Sequence, residues 1–257
     1  MKKYIIGIIS YLPDGDLYAK RKCQVEQNLK KLYSLFPNFP ILIIAQNYKE
    51  NLIYNKNQKI ELKYYDKLGI INARYTLQKE LLKYDFDYAI LLDDDAIIYG
   101  TDSLKFIETF EKYDSGFCFR QRDAKITRSV FRYMKAALNF CVISKDILEK
   151  EYIDLRFDPE QNIAYEDVVY PSLLYNKYKD KEIMWPIGTI YTSYNYTNKS
   201  TSTWLAETNK KLVGSVFIRH VNSIKICDYI DKYKEYPNFN LSETNIITIT
   251  NSTEESI

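Results

Sequence analysis

At 257 residues, 46% hydrophobic and 27% charged, the chain has the composition of a globular protein with a sizeable core, which excludes a largely disordered or fibrous one. Its 36 Lys and Arg against 34 Asp and Glu leave a formal net charge of +2, so no global attraction to nucleic acid or anionic lipid follows. The four cysteines, Cys23, Cys118, Cys141 and Cys227, form no CxxC pair, which argues against a zinc ribbon and for free thiols in a reducing compartment.

The opening MKKYIIGIISYLPDGD reads as a first core strand rather than a signal peptide, because its apolar run is short and Pro and Asp follow directly. No run reaches the ~18 apolar residues of a membrane span, so the expected location is cytoplasmic or peripheral at a membrane. A helix is expected from about residue 16 to 35, then strands over 41–45 (ILIIA) and 60–65, and a helix over 69–82. The fourth strand, YAILL at 88–92, stops abruptly in Asp93-Asp94-Asp95. Apolar runs that do not alternate belong to strands covered on both faces. Their βα order predicts an α/β fold with a Rossmann-like, mainly parallel sheet flanked by helices, whose ligands bind at the carboxyl ends of the strands. Further on, the pattern gives helices over 103–111, 126–138, 145–151 and 166–179, and strands over 116–120, 140–144 and 213–220. One domain is expected over 1–235, with a nucleotide-binding half (1–100) and an acceptor half (101–235). A polar tail over 236–257 is expected to be flexible.

Three adjacent carboxylates repel one another, and placing them where a sheet opens is costly without a compensating cation. Alternate side chains of an extended segment share a direction, so Asp93 and Asp95 face one site while Asp94 points elsewhere. Two such oxygens leave most positions of Mg²⁺ or Mn²⁺ open to phosphate and water. Glu166 and Asp167 fall in the first turn of an expected helix, where a carboxylate is oriented and partly desolvated, as a general base requires. Arg128, Arg132 and Lys135 line one helix face together with Lys125. They suit an anionic acceptor: a lipid-linked phosphate, a charged glycan or modified DNA. The stretch Asn198–Trp204 sets small polar residues around one large ring, which suits a lid over the donor.

The ordered set of motifs resembles the GT-A glycosyltransferases of the family 2 type. The strand ending in Leu-Leu-Asp93-Asp94-Asp95 is similar to the family's DxD motif, and Gly69-Ile-Ile-Asn-Ala73-Arg74 to its Gly…Ala-Arg helix start. Phe157-Asp158 and Glu166-Asp167 match its later Phe-Asp and Glu-Asp segments. The resemblance covers about residues 3–220. It implies metal ligation by Asp93, Asp95 and His220, and donor contacts from Ser10, Gln46, Arg74, Asp93, Asp94 and Trp204. It also implies Asp167, with Glu166 beside it, as the base of an inverting transfer from a nucleotide-diphospho-sugar, with UDP as the nucleotide. Where family members end the second strand with an Asp that reads uracil, this chain has Gln46, which leaves the base open. A cell-surface glycan or its lipid-linked precursor is the expected acceptor. Retaining stereochemistry, transfer to modified DNA bases, nucleotidyl transfer and a non-catalytic nucleotide- or glycan-binding module are the alternatives.

Overall fold

The computed structural model describes residues 1–119, 140–151, 170, 174, 177–186 and 189–194. The elements in chain order are β1 (Tyr4–Tyr11), α1 (Leu17–Leu35), β2 (Ile41–Gln46), β3 (Ile60–Tyr65), α2 (Ile70–Leu81), β4 (Tyr88–Asp93) and β5 (Ala96–Gly100). They continue with α3 (Ser103–Glu111), β6 (Phe117–Phe119), β7 (Phe140–Ser144), α4 (Lys145–Lys150) and β8 (Ile190–Tyr194).

Six strands form one sheet in the order β3-β2-β1-β4-β7-β6. The pairs β1–β2, β1–β4 and β2–β3 are parallel, whereas β7 runs antiparallel to both β4 and β6. The sheet is therefore mixed and mainly parallel, as the sequence implies. Strands β5 and β8 pair antiparallel in a separate two-stranded sheet that the sequence reading does not foresee. The expected strand at 213–220, the helices at 126–138 and most of 166–179, and the tail at 236–257 lie outside the described residues.

The unbroken apolar runs divide between the two faces by alternation. Ile6 and Ile8 of β1, Ile41 and Ile43 of β2, and Ile90 and Leu92 of β4 pack with Val25, Leu29 and Leu32 of α1 and Phe106 and Phe110 of α3. Their neighbours Ile5, Ile9, Leu42, Ile44, Ala89 and Leu91 pack on the opposite face with Ala73, Leu77 and Leu81 of α2 and Ile147 of α4. Burying both faces is what excludes polar residues from these strands. Gly7 on β1 lets α2 close in: a Cβ there would lie 3.0 Å from Leu81 Cδ1 and 3.2 Å from both Leu77 Cδ1 and Leu91 Cδ2.

The chain lays down β1, β2 and β3 in one direction and then crosses back to put β4 on the other side of β1. In open α/β sheets the crevice at such a reversal, beyond the carboxyl ends of the strands, is where ligands bind. The register aligns Ile9 with Asp93. Ser10 and Tyr11 therefore stand beside the Asp triplet at that crevice.

Candidate active site

The three carboxylates leave β4 in two different directions. The side chains of Asp93 and Asp95 keep 21% and 17% of their surface exposed, and that of Asp94 only 6%. The middle residue is the most enclosed of the three; it shares the Arg21 guanidinium with Asp95, whereas Asp93 pairs with Arg74.

Both carboxylate oxygens and the backbone carbonyl of Asp94 have protein partners. Its Oδ1 accepts from Arg21 Nη2 at 2.8 Å, and its Oδ2 from Ser10 Oγ at 2.6 Å and the Tyr11 amide at 3.1 Å. Its backbone carbonyl accepts from Asn28 Nδ2 at 3.0 Å, and Asn28 Oδ1 in turn accepts from Gln24 Nε2. Because the Ser10 hydroxyl donates to Asp94, the Tyr48 hydroxyl 2.5 Å from it is the donor of that second bond. Burial, reinforced by the charge of Asp94, raises the pKa of Tyr48 and keeps it protonated for this role.

The flanking carboxylates have one guanidinium each. Arg74 Nη2 meets Asp93 Oδ1 at 2.7 Å, and Arg21 Nη1 lies 3.2 Å from Asp95 Oδ2. Arg74 reaches Asp93 from the second turn of α2. The helix starts at Gly69, whose φ of +76° is a left-handed conformation that a side chain would strain. That geometry accounts for the Gly in the Gly…Ala-Arg spacing.

Electrostatics follow from this packing. Burial, with the negative charges of Asp94 and Asp93 added, pushes Asp95 up to about 6 against the pull of Arg21. Burial likewise raises Asp94 despite its guanidinium and hydroxyl partners. Burial opposes the charge on Arg21, yet the carboxylates of Asp94, Asp95 and Asp93 prevail and hold its pKa above the ordinary value. The site is thus a partly dehydrated acidic cluster with two resident cations.

Of the expected donor contacts, Ser10, Gln46 and Asp94 are buried and turned to protein partners. Gln46 Nε2 donates to the Ser10 carbonyl at 3.4 Å, and its Oε1 accepts from the Leu68 amide at 3.0 Å. Arg74 is buried as well, and its guanidinium is held by the more exposed Asp93. Tyr11 at the end of β1 carries Lys67 over its ring, with Nζ 5.7 Å from the centroid. Trp204, His220, Glu166, Asp167, Arg128, Arg132 and Lys135 lie outside the described residues.

Among the described residues, no three His, Cys, Asp or Glu side chains form a group able to hold a metal ion. Asp93 and Asp95 contribute hard carboxylate oxygens whose second atoms, Oδ2 and Oδ1, take no hydrogen bond from the described residues. In chemical kind they fit Mg²⁺ or Mn²⁺ as a partial ligand set.

Arg21, Asn28 and Tyr48 are the site residues that the sequence reading misses. A signal for two of them exists: Arg21 and Asn28 fall on the same helical face as Val25, Leu29 and Leu32, all buried. A charged residue in a core-facing position needs a buried partner.

No protein-family model and no curated protein sequence matches the chain. Its fold does have solved counterparts. Against the crystal structure of S. aureus TarS 1-349 the TM-score is 0.54 at 11% identity, covering 95% of this chain and 73% of that one. Against the same fragment in complex with UDP-GlcNAc it is 0.51 at 9% identity, covering 74% of this chain and 58% of that one. The complex with UDP gives 0.51 at 12% identity, with coverage of 74% and 60%. The chain thus spans under two thirds of TarS in its two nucleotide complexes. Likeness at this level is one of fold, and the fold is the GT-A type: a mixed, mainly parallel sheet flanked by helices, with an acidic cluster at its switch point.

Proposed function

We propose that the protein is a glycosyltransferase that moves a sugar from a nucleotide-diphospho-sugar, with UDP as the nucleotide, to an acceptor hydroxyl. The observation that carries this reading is the acidic turn at the switch point of a GT-A sheet, with Asp93 beside Arg74 and Asp95 beside Arg21, both partly exposed. That TarS was crystallised with UDP and with UDP-GlcNAc supports the choice of nucleotide.

Asp93 and Asp95, completed by His220, would hold Mg²⁺ or Mn²⁺. Such an ion, when bound, neutralises charge on the leaving diphosphate. Arg74, fixed by Asp93, orients the nucleotide, and Trp204 closes over it. Asp167, with Glu166 beside it, takes the proton from the acceptor hydroxyl as that oxygen attacks the face of the anomeric carbon opposite the nucleotide, which inverts its configuration. Arg128, Arg132 and Lys135 receive an anionic acceptor, which we take to be a cell-surface glycan or its lipid-linked precursor at the cytoplasmic side. No helix among the described residues is long and apolar enough to cross a membrane.

A panel of UDP-sugars incubated with and without Mn²⁺ tests the reading. Release of UDP from one donor, dependent on the cation and lost in Asp95→Ala, is the expected result. A protein that neither binds UDP nor hydrolyses any sugar nucleotide with Mn²⁺ present would sink it.

A further inference from the structure

We infer that Arg21 is a positioning residue of this site, acting with Asp94 to hold the turn after β4 and the carboxylate of Asp95 that it carries. The inference rests on the glycosyl-transfer reading and adds a role to a side chain of α1 that no DxD pattern includes.

The argument starts from how completely residue 94 is held. Its two carboxylate oxygens and its backbone carbonyl accept from four groups: the Arg21 guanidinium, the Ser10 hydroxyl, the Tyr11 amide and the Asn28 amide. Two of these donors lie on α1 and two on β1, so the turn leaving β4 is tied to both neighbouring elements. With main chain and side chain of residue 94 fixed, the turn that follows brings Asp95 to the same guanidinium, while Asp93 at the end of β4 pairs with Arg74. Arg21 then acts a second time, because its other terminal nitrogen meets Asp95 Oδ2 at 3.2 Å. One planar guanidinium thus lies between two adjacent carboxylates, hydrogen-bonded to Asp94 through Nη2 and ion-paired with Asp95 through Nη1, at a spacing fixed by the fork that a single ammonium nitrogen on a flexible stem does not fix.

Stability alone does not account for the pair. A buried ion pair often contributes no more than a well-packed apolar pair of the same size, since dehydrating both charges offsets their attraction. Arg21 and Asp94 are 7% and 6% exposed. What an apolar pair would not supply is the second contact to Asp95 and the fixed turn. Groups behind a ligand carboxylate typically alter metal affinity by roughly 10- to 100-fold when removed.

The test compares wild type, the double variant R21Q/D94N and the single variant R21K. The double variant removes one positive and one negative charge, so the net charge of the cluster is unchanged, and Asp95 alone loses its guanidinium partner. Mn²⁺ binding in the presence of UDP is followed by electron paramagnetic resonance, and folding by thermal melting. The expected result is a folded double variant whose apparent affinity for Mn²⁺ falls roughly tenfold or more. R21K should also remain weakened, because it restores the charge but not the fork. Wild-type affinity in a folded double variant, or in R21K, overturns the positioning role. If the double variant does not fold, the titration of R21K decides alone. A wild type that binds no UDP with Mn²⁺ overturns the glycosyl-transfer reading and this inference with it, a result distinct from equal binding by all three proteins.

Discussion

Asp95→Asn should make the metal-free protein more stable while removing its function. In the folded chain, burial and the neighbouring charges of Asp94 and Asp93 push Asp95 from 3.8 up to about 6. A group whose pKa is raised by folding contributes stability in full below its unfolded pKa and loses it as pH rises through the folded value. Here that window runs from about 4 to about 6. A shift of about two units corresponds to about 3 kcal/mol, and with only 17% of the side chain exposed, solvent screens little of it. Asn mimics the protonated acid and keeps an oxygen to face Arg21. The variant should therefore be more stable than wild type by about 2–3 kcal/mol at pH 7.5 and by less than about 1 kcal/mol at pH 4. For a chain of this length that is a rise of roughly 5–10 °C in melting temperature at pH 7.5. Melting of EDTA-treated proteins across this pH range reads it directly. Mn²⁺ with UDP should raise the melting temperature of wild type and leave the variant unmoved. An Asn variant no more stable than wild type at pH 7.5, or with an advantage that does not fade on acidification, would refute the reasoning.

Asp94→Ala should do the opposite, since it leaves the buried Arg21 with only its longer contact to Asp95 and removes the acceptor of Ser10 and Tyr11; a loss of about 3 kcal/mol in urea unfolding is expected. Asp93→Ala should abolish cation-dependent donor binding, as measured by titration with UDP and Mn²⁺, while the protein stays folded. Asp167→Asn is nearly isosteric and should lower turnover by roughly two to four orders of magnitude with donor affinity unchanged, as steady-state kinetics will show. Replacing Arg128, Arg132 and Lys135 together with Gln should raise the acceptor Michaelis constant and flatten its dependence on salt, with donor hydrolysis hardly altered; an unchanged salt dependence would make the stripe a solvated face.

The parallel part of the sheet was legible because each of its inner strands is an unbroken apolar run, and β1 to β4 fall within a residue of where those runs lie. The pair β5–β8 was not legible. AIIYG follows directly on the Asp turn, and among the described residues it and IYTSY pair with each other, far apart along the chain. Long-range antiparallel pairing leaves no local period to read. At the site, alternation is a rule for extended chain and does not reach Asp95, because residues 94 and 95 form a turn that brings Asp94 and Asp95 to one guanidinium. Arg74 came from a resemblance of spacing, and the structure supplies its reason in the ion pair with Asp93. Arg21 was passed over because its helix reads as amphipathic, and a single cation on the apolar face looks like an ordinary interruption until its partner is seen. Ser10, Gln46 and Asp94 were located correctly at the strand ends, but which way each side chain turns depends on donors from other elements.

The charge balance of the cluster links these observations to the proposed chemistry. Three carboxylates meet two guanidiniums, which leaves the site with a net charge of about −1 once Asp95 is ionised above pH 6. A diphosphate approaching that surface meets net repulsion, despite Arg74. A divalent cation held by Asp93 and Asp95 would reverse the sign to about +1 and make the crevice attractive to the donor. If Arg21 were absent, the cluster would carry a net charge of about −2, and Asp94 and Asp95 would both lack a guanidinium partner. The buried arginine therefore tunes the site as well as shaping it: it cancels the charge of one carboxylate and leaves the cluster just short of neutral. Coupling between cation and nucleotide follows from this balance, because each of the two ligands corrects the charge that opposes the other.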